Sequence, residues 1–200
     1  MKMKSVILSM AMIVSSGSAL AADVEAGVVK KVIDRSQHDS FSMNYPLDLS
    51  VINSFSNGYK SEALKAEKPE FTTMAAAKGI QYFEVFGVGS SKSGGFEYLS
   101  KDQSSTANDH GGNQIRVAVL QYGYGNINQA SFEGQNKSPS ETVRLCGTLG
   151  VDVHACRVGE TVTGWLYYFD FYGSEGGYFS VSSNSIASPF GYWSDSVSIL

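Results

Sequence analysis

The grouping best suited to chemistry is Asp109-His110-Gly111-Gly112-Asn113. An imidazole beside a carboxylate offers a general base with an orienting acid. The two glycines permit close backbone approach or positive φ. Adjacent residues in extended chain point to opposite sides, so Asp109 does not orient His110 by adjacency alone. The same five residues also read as a turn with a surface histidine bonded to backbone. Asp170 is the second acid of interest, set in the aromatic run Trp165 to Tyr172. A carboxylate there needs a partner such as Arg116, Arg144 or Arg157. Paired with Glu84 or Asp109, it offers two carboxylates of the kind that hydrolyse glycosides. His110, Asp109 and Asp170 are therefore the candidate catalytic residues. The chain lacks H-E-x-x-H, G-x-S-x-G and S-x-x-K patterns, and it has neither a phosphate loop nor a dinucleotide fingerprint.

A binding surface is the competing chemistry. Gln121-Tyr122-Gly123-Tyr124-Gly125-Asn126 presents tyrosines separated by glycines. Flat rings with polar tips stack on sugars or peptide prolines, and they also fill cores. Tyr122, Tyr124, Asn126 and Trp165 are the candidate ligand-binding residues. Half of the rings between Trp165 and Phe179 should face outward, either to bind something or to lie under the N-terminal arm.

The elements that must hold these residues read mainly as β. Ile80–Val88, Phe96–Leu99, Ile115–Tyr122, Thr161–Tyr172, Tyr178–Ser182 and Ser194–Leu200 carry strand signals. Ile115–Tyr122 is apolar on both faces, as a central strand must be. Thr161–Tyr172 and Tyr178–Ser182, joined by Gly173–Gly177, read as a hairpin. Ser138-Pro139-Ser140-Glu141 is a capping-box pattern that favours a two-turn helix up to Gly147, although Thr142 to Leu145 also alternates as a strand. Ser61–Glu67 and Met74–Ala77 are further short helical signals. The expected fold is an antiparallel β-sandwich or small barrel-like sheet. One or two short helices and a less structured N-terminal arm accompany it.

Composition agrees with a globular chain: of 200 residues, 42% are apolar and 17% charged. Lys2 and Lys4, the apolar run Val6–Val14 and the small residues up to Ala21 form the pattern of a signal peptide over 1–21. The apolar run is too short to span a bilayer, and no later stretch is long enough, so the mature chain is expected to lack a transmembrane segment. Residues 22–70 hold too few large apolar groups for a core of their own and read as an arm, linker or proregion; His38 there reads as solvated. Residues 71–200 form the globular domain. Loss of Lys2 and Lys4 lowers the basic count from 15 to 13 against 19 acidic residues, a net charge of −6. Such a chain does not attract nucleic acid.

Cys146 and Cys156 are the two cysteines. After export they are expected to form a disulfide, closing a short loop that contributes about 2–3 kcal/mol. His154 alone cannot complete a four-ligand metal set with the cysteine pair, three histidines in all leave little room for a metal site, and no cofactor is implied.

Taken together, Asp109-His110-Gly111-Gly112, Tyr122-Gly123-Tyr124-Gly125-Asn126, Cys146-Gly147 with Cys156, Gly164-Trp165 with Tyr168 and Asp170, and Gly176-Gly177 resemble the YolA-like secreted proteins of bacteria over about residues 80–200. That family's function is uncharacterised. The resemblance implies secretion, periplasmic or extracellular, and one β-rich domain; it transfers no catalytic residue.

Three functions follow as expectations. The first is a secreted module that binds a glycan, cell-wall or cell-surface component, or protein. The second is a hydrolase of polysaccharide or peptidoglycan using His110 and a carboxylate. The third is an effector or toxin held inactive by residues 22–70.

Overall fold

The computed structural model describes residues 47–55 and 77–200. The signal pattern, His38, the helical signal Ser61–Glu67 and all but the last residue of the signal Met74–Ala77 lie outside them. All described residues belong to one unit, Ser36–Leu200.

The chain is mainly β, its antiparallel sheets curled into a half-barrel. The elements are α1 (Leu49–Phe55), β1 (Tyr82–Ser90), β2 (Phe96–Tyr98), β3 (Gln114–Tyr122), β4 (Gly125–Phe132), β5 (Gln135–Asn136), β6 (Glu141–Cys146), β7 (His154–Ala155), β8 (Gly164–Tyr172), β9 (Gly177–Ser185) and β10 (Tyr192–Ile199). Six strands form one sheet in the order β2-β1-β3-β8-β6-β7, and four form a second in the order β10-β9-β4-β5.

Period-two alternation explains how the sheets face one another. Phe83 and Val85 of β1, Val117 and Val119 of β3, and Phe169 and Phe171 of β8 point between the sheets. They meet Ala130, Phe132, Phe179, Val181, Val197 and Ile199 of the smaller sheet. Phe132 stacks on Phe171 with ring centroids 4.2 Å apart, and Phe179 packs against Phe169 at 5.2 Å. The other face of the larger sheet is apolar too. Tyr82, Phe86, Ala118, Leu120, Leu166 and Tyr168 form a second cluster, covered by Leu47 and by Ile52 of α1. β3 is thus buried on both faces, as its composition requires. Of the outward rings of β8, Tyr168 lies in the cluster with Leu47 and Ile52, while Tyr172 is exposed.

Two local expectations are corrected. Glu141–Cys146 is a strand and not a helix. Val143 and Leu145 join the outer cluster while Arg144 is exposed, a period-two arrangement. The Ser140 N–H and hydroxyl both bond the Tyr168 carbonyl, so the serine tethers the strand to β8 instead of capping a helix. Nor do β8 and β9 form a hairpin. Both edges of β8 are taken, by β3 and by β6, so Gly173–Gly177 turns the chain into the other sheet. The turn depends on Gly176, at φ 123°, where a Cβ would lie 2.5 Å from the Ile199 carbonyl oxygen.

The disulfide joins Cys146, at the end of β6, to Cys156, just past β7. Among the described residues, no helix is long and apolar enough to cross a membrane.

Candidate functional site

The three candidate catalytic residues do not converge. His110 is fully buried, its Nε2 3.0 Å from Glu97 Oε2 and its Nδ1 without a hydrogen-bond partner among the described residues. Asp109, on the exposed side, pairs with Lys92. Asp170 receives two hydrogen bonds from Arg116, at 2.7 and 2.9 Å. The Arg116 guanidinium also lies over the Tyr168 ring, 5.0 Å from its centroid. Asp170 has thus found a partner, as burial in an aromatic strand demands, and a carboxylate fixed in a two-pronged ion pair is a brace between β3 and β8.

Glu97 is the acid that His110 meets. Burial opposes its ionisation. The N–H groups of Ala107 and Asn108, His110 and the Asn108 amide outweigh burial and hold Glu97 down to about 2. These bonds gather the β2–β3 connection around one carboxylate. The same connection is tied to β10: Thr106 N–H donates to the Ser198 carbonyl and His110 N–H to the Leu200 carbonyl. The imidazole is a buried post in that connection, with no route to solvent.

The candidate binding residues fare differently from one another. Tyr122, Tyr124 and Trp165 are half-buried. Tyr122 donates its hydroxyl to the Gly147 carbonyl at 3.2 Å and Tyr124 to the Val162 carbonyl at 2.8 Å. The Tyr124 and Trp165 rings meet edge to face at 5.1 Å. The two tyrosine hydroxyls are spent on loop closure. Asn126 is exposed and lies in register with Asn184 of β9, which pairs with Tyr192 of β10. It belongs to the outer face of the smaller sheet.

That face holds the candidate site. On β9 and β10, the positions between core residues are Tyr178, Ser180, Ser182 and Asn184, and Tyr192, Ser194, Ser196 and Ser198. Gln129 of β4 joins them through a bulge between Ile127 and Gln129. Gln129, Tyr178, Ser180, Ser182, Tyr192 and Ser194 line a groove of about 330 Å³, with Ser196 and Asp195 beside them. Tyr178 and Tyr192 are 51% and 67% exposed, and they flank the serines. By strand register the two tyrosines stand about 20 Å apart along the sheet. Ser131 and Ser180 bond each other at 2.9 Å. The hydroxyls of Ser194, Ser196, Tyr178 and Tyr192 make no hydrogen bond among the described residues, so they remain to bind a ligand.

Asp195, between Ser194 and Ser196, turns its side chain to the opposite face of β10, between the sheets. Its carboxylate accepts the Val85 N–H at 2.6 Å and the Ser196 N–H at 2.7 Å. Burial raises its pKa against the pull of those two donors. Glu84, bonded by the Tyr82 hydroxyl, is raised by burial and by the nearby Asp195. Sequence reading passed over the groove. Its signal was present as serines at every second position of Tyr192-Trp193-Ser194-Asp195-Ser196-Val197-Ser198. Among the described residues there is no group of three His, Cys, Asp or Glu side chains able to hold a metal ion.

No curated protein matches the chain. A family model does, over residues 72–199, and on that match the chain belongs to DUF4879, a domain of unknown function.

Proposed function

We propose that this chain is a secreted binding module whose ligand is a glycan laid along the outer face of the smaller sheet. The observation that carries this reading is the groove between Tyr178 and Tyr192, floored with serine hydroxyls and the Gln129 amide. A polyhydroxylated ligand needs two things from a site: rings on which its C–H faces can rest, and short polar groups that both give and accept hydrogen bonds. Exposed tyrosines supply the first. Unpaired hydroxyls supply the second without the desolvation cost of fixed charges. The flanking tyrosines stand about 20 Å apart by register, which suits a segment of polymer better than a small molecule.

Export is part of the same reading. The N-terminal pattern of lysines, apolar run and small residues supports it, as does the Cys146–Cys156 disulfide. The buried His110 and the Arg116-bound Asp170 leave the hydrolase reading without a convergent acid and base.

Co-sedimentation with insoluble cell-wall polysaccharides tests the proposal. The wild-type protein is expected to pellet with at least one polysaccharide. Tyr178→Ala and Tyr192→Ala should each weaken retention about tenfold, as the loss of one ring contact implies. Equal retention of both variants would refute the groove as the site.

A further inference from the structure

The smaller sheet is almost without charge. β4, β5 and β9 contain no charged residue, and β10 contains only Asp195, whose carboxylate turns between the sheets to the Val85 N–H. The larger sheet, by contrast, carries Glu84, Glu97, Arg116, Glu141, Arg144 and Asp170. Solvent-facing edge strands ordinarily use charge to discourage pairing with other chains. A face that meets only water has no reason to avoid charge. A face that gives up its water to an uncharged ligand does, because a buried unpaired charge costs far more than a buried hydroxyl.

The charged groups of the adjoining turn point the same way. Glu133, between β4 and β5, accepts the Tyr178 N–H and so fixes a carboxylate at one end of the groove. Lys137, just past β5, reaches over the Phe171 ring, 5.8 Å from its centroid, and that ring faces between the sheets. The chain as a whole has 15 basic against 19 acidic residues. Its field opposes the approach of a polyanion.

Strand register sets the shape of what can bind. Ser182 stands opposite Ser194, and Ser180 opposite Ser196. These two rungs of paired serines lie between the rings: Tyr192 is beyond one rung, opposite Asn184, and Tyr178 beyond the other, opposite Ser198. Both rings and both rungs share one face by the two-residue period, with about 20 Å between the rings along the strands. A ligand that touches both tyrosines is straight over that length and offers each the same kind of surface.

We infer that the ligand is an uncharged glycan with an extended, equatorially linked backbone lying along β9 and β10, as distinct from an anionic polymer or a coiled glycan. This rests on the groove being the binding site. In an equatorially linked chain each sugar is turned over relative to the last, so the polymer is a flat ribbon with C–H faces on both sides. Such a ribbon sets one C–H face on Tyr178 and another on Tyr192, while its hydroxyl or acetamido groups meet the serines between them. An axially linked chain curls away and leaves one ring unused. A polyanion brings its charges to a floor that holds no cation.

Affinity electrophoresis of the full chain through gels containing soluble polymers tests this. The probes are two neutral β-1,4-linked polymers, hydroxyethyl cellulose and glycol chitin, the carboxymethyl derivative of each, and soluble starch. At least one neutral β-linked polymer should retard the protein, and its carboxymethyl counterpart and starch should bind at least about tenfold more weakly. Retention should be the same at low and high salt. Ser194→Asp, at an exposed position, should lose retention at least about tenfold with an unchanged thermal midpoint, and Ser194→Thr should keep it. Equal or stronger retardation by a carboxymethyl polymer or by starch overturns the inference. If Tyr178→Ala and Tyr192→Ala abolish that retardation, the groove stands as the site and only the ligand class is wrong. Retardation that both tyrosine variants keep overturns the groove and the inference together. A protein that none of the five polymers retards also overturns the inference, while pelleting with wall polysaccharide still decides the groove.

Discussion

The Asp195 carboxylate of β10 accepts the Val85 N–H of β1 across 2.6 Å, a hydrogen bond from the smaller sheet to the unpaired edge of the larger one. β2 pairs with β1 only at Gly87 to Gly89, so Val85 has no strand partner on that side. One carboxylate replaces it, on the face of β10 opposite to Ser194 and Ser196. Asp195→Ala should cost about 1–3 kcal/mol, because it strands a buried N–H. Chemical denaturation would measure the loss.

Glu97 and the pair Glu84 and Asp195 set opposite pH dependences. Glu97 has its carboxyl held down to about 2, so the folded state binds fewer protons there than the unfolded chain. Its stabilisation is present above about pH 4.5 and is lost as pH falls toward 2. Glu84 and Asp195 are raised by burial; Asp195 and Asp102 raise Glu84 further, while the Tyr82 hydroxyl and Lys101 oppose the shift. Their contribution is full below the unfolded carboxylate range and is lost as pH rises through their folded values. Thermal melts should therefore peak at mildly acidic pH. Glu84→Gln should flatten the decline toward neutrality, and Glu97→Gln should flatten the acid limb while lowering stability by about 1.5–3 kcal/mol.

Ile52 of α1 is 1% exposed against the outer face of the larger sheet. Ile52→Ala should cost about 2–4 kcal/mol through the cavity it leaves. Because Ala118, Leu120 and Leu166 lie beneath, the variant should also bind a hydrophobic dye that the wild type does not.

Reduction of Cys146–Cys156 should lower stability by about 2–3 kcal/mol, the entropy of a short closed loop, and leave the far-ultraviolet circular dichroism of the sheets in place. The core between Phe169, Phe171, Phe179 and Phe132 does not involve that loop.

Much of this architecture was legible from alternation alone. β1, β3 and β8 show apolar residues at alternate positions, β10 does so at Val197 and Ile199, and β3 shows them on both faces. β4 was missed because its outer face is polar and its bulge at Ile127/Gln129 breaks the period. The helical reading of Glu141–Cys146 followed a local capping pattern, which pairing with β8 overrode. The β8–β9 hairpin failed because glycine turns join sheets as readily as strands, and which edges are free is a tertiary fact. The groove was hidden for a different reason. Serine at alternate positions is the ordinary dress of a solvated sheet face, and only the flanking of those serines by exposed Tyr178 and Tyr192 distinguishes it.

The most direct measurement is amide chemical-shift mapping of the labelled protein during titration with a soluble cell-wall oligosaccharide. Shifts confined to Tyr178, Ser180, Ser182, Gln129, Tyr192, Ser194 and Ser196 are the predicted result. Shifts centred on Tyr122, Tyr124 and Trp165, or none with any oligosaccharide, would contradict the assignment of the serine-floored groove as the binding site.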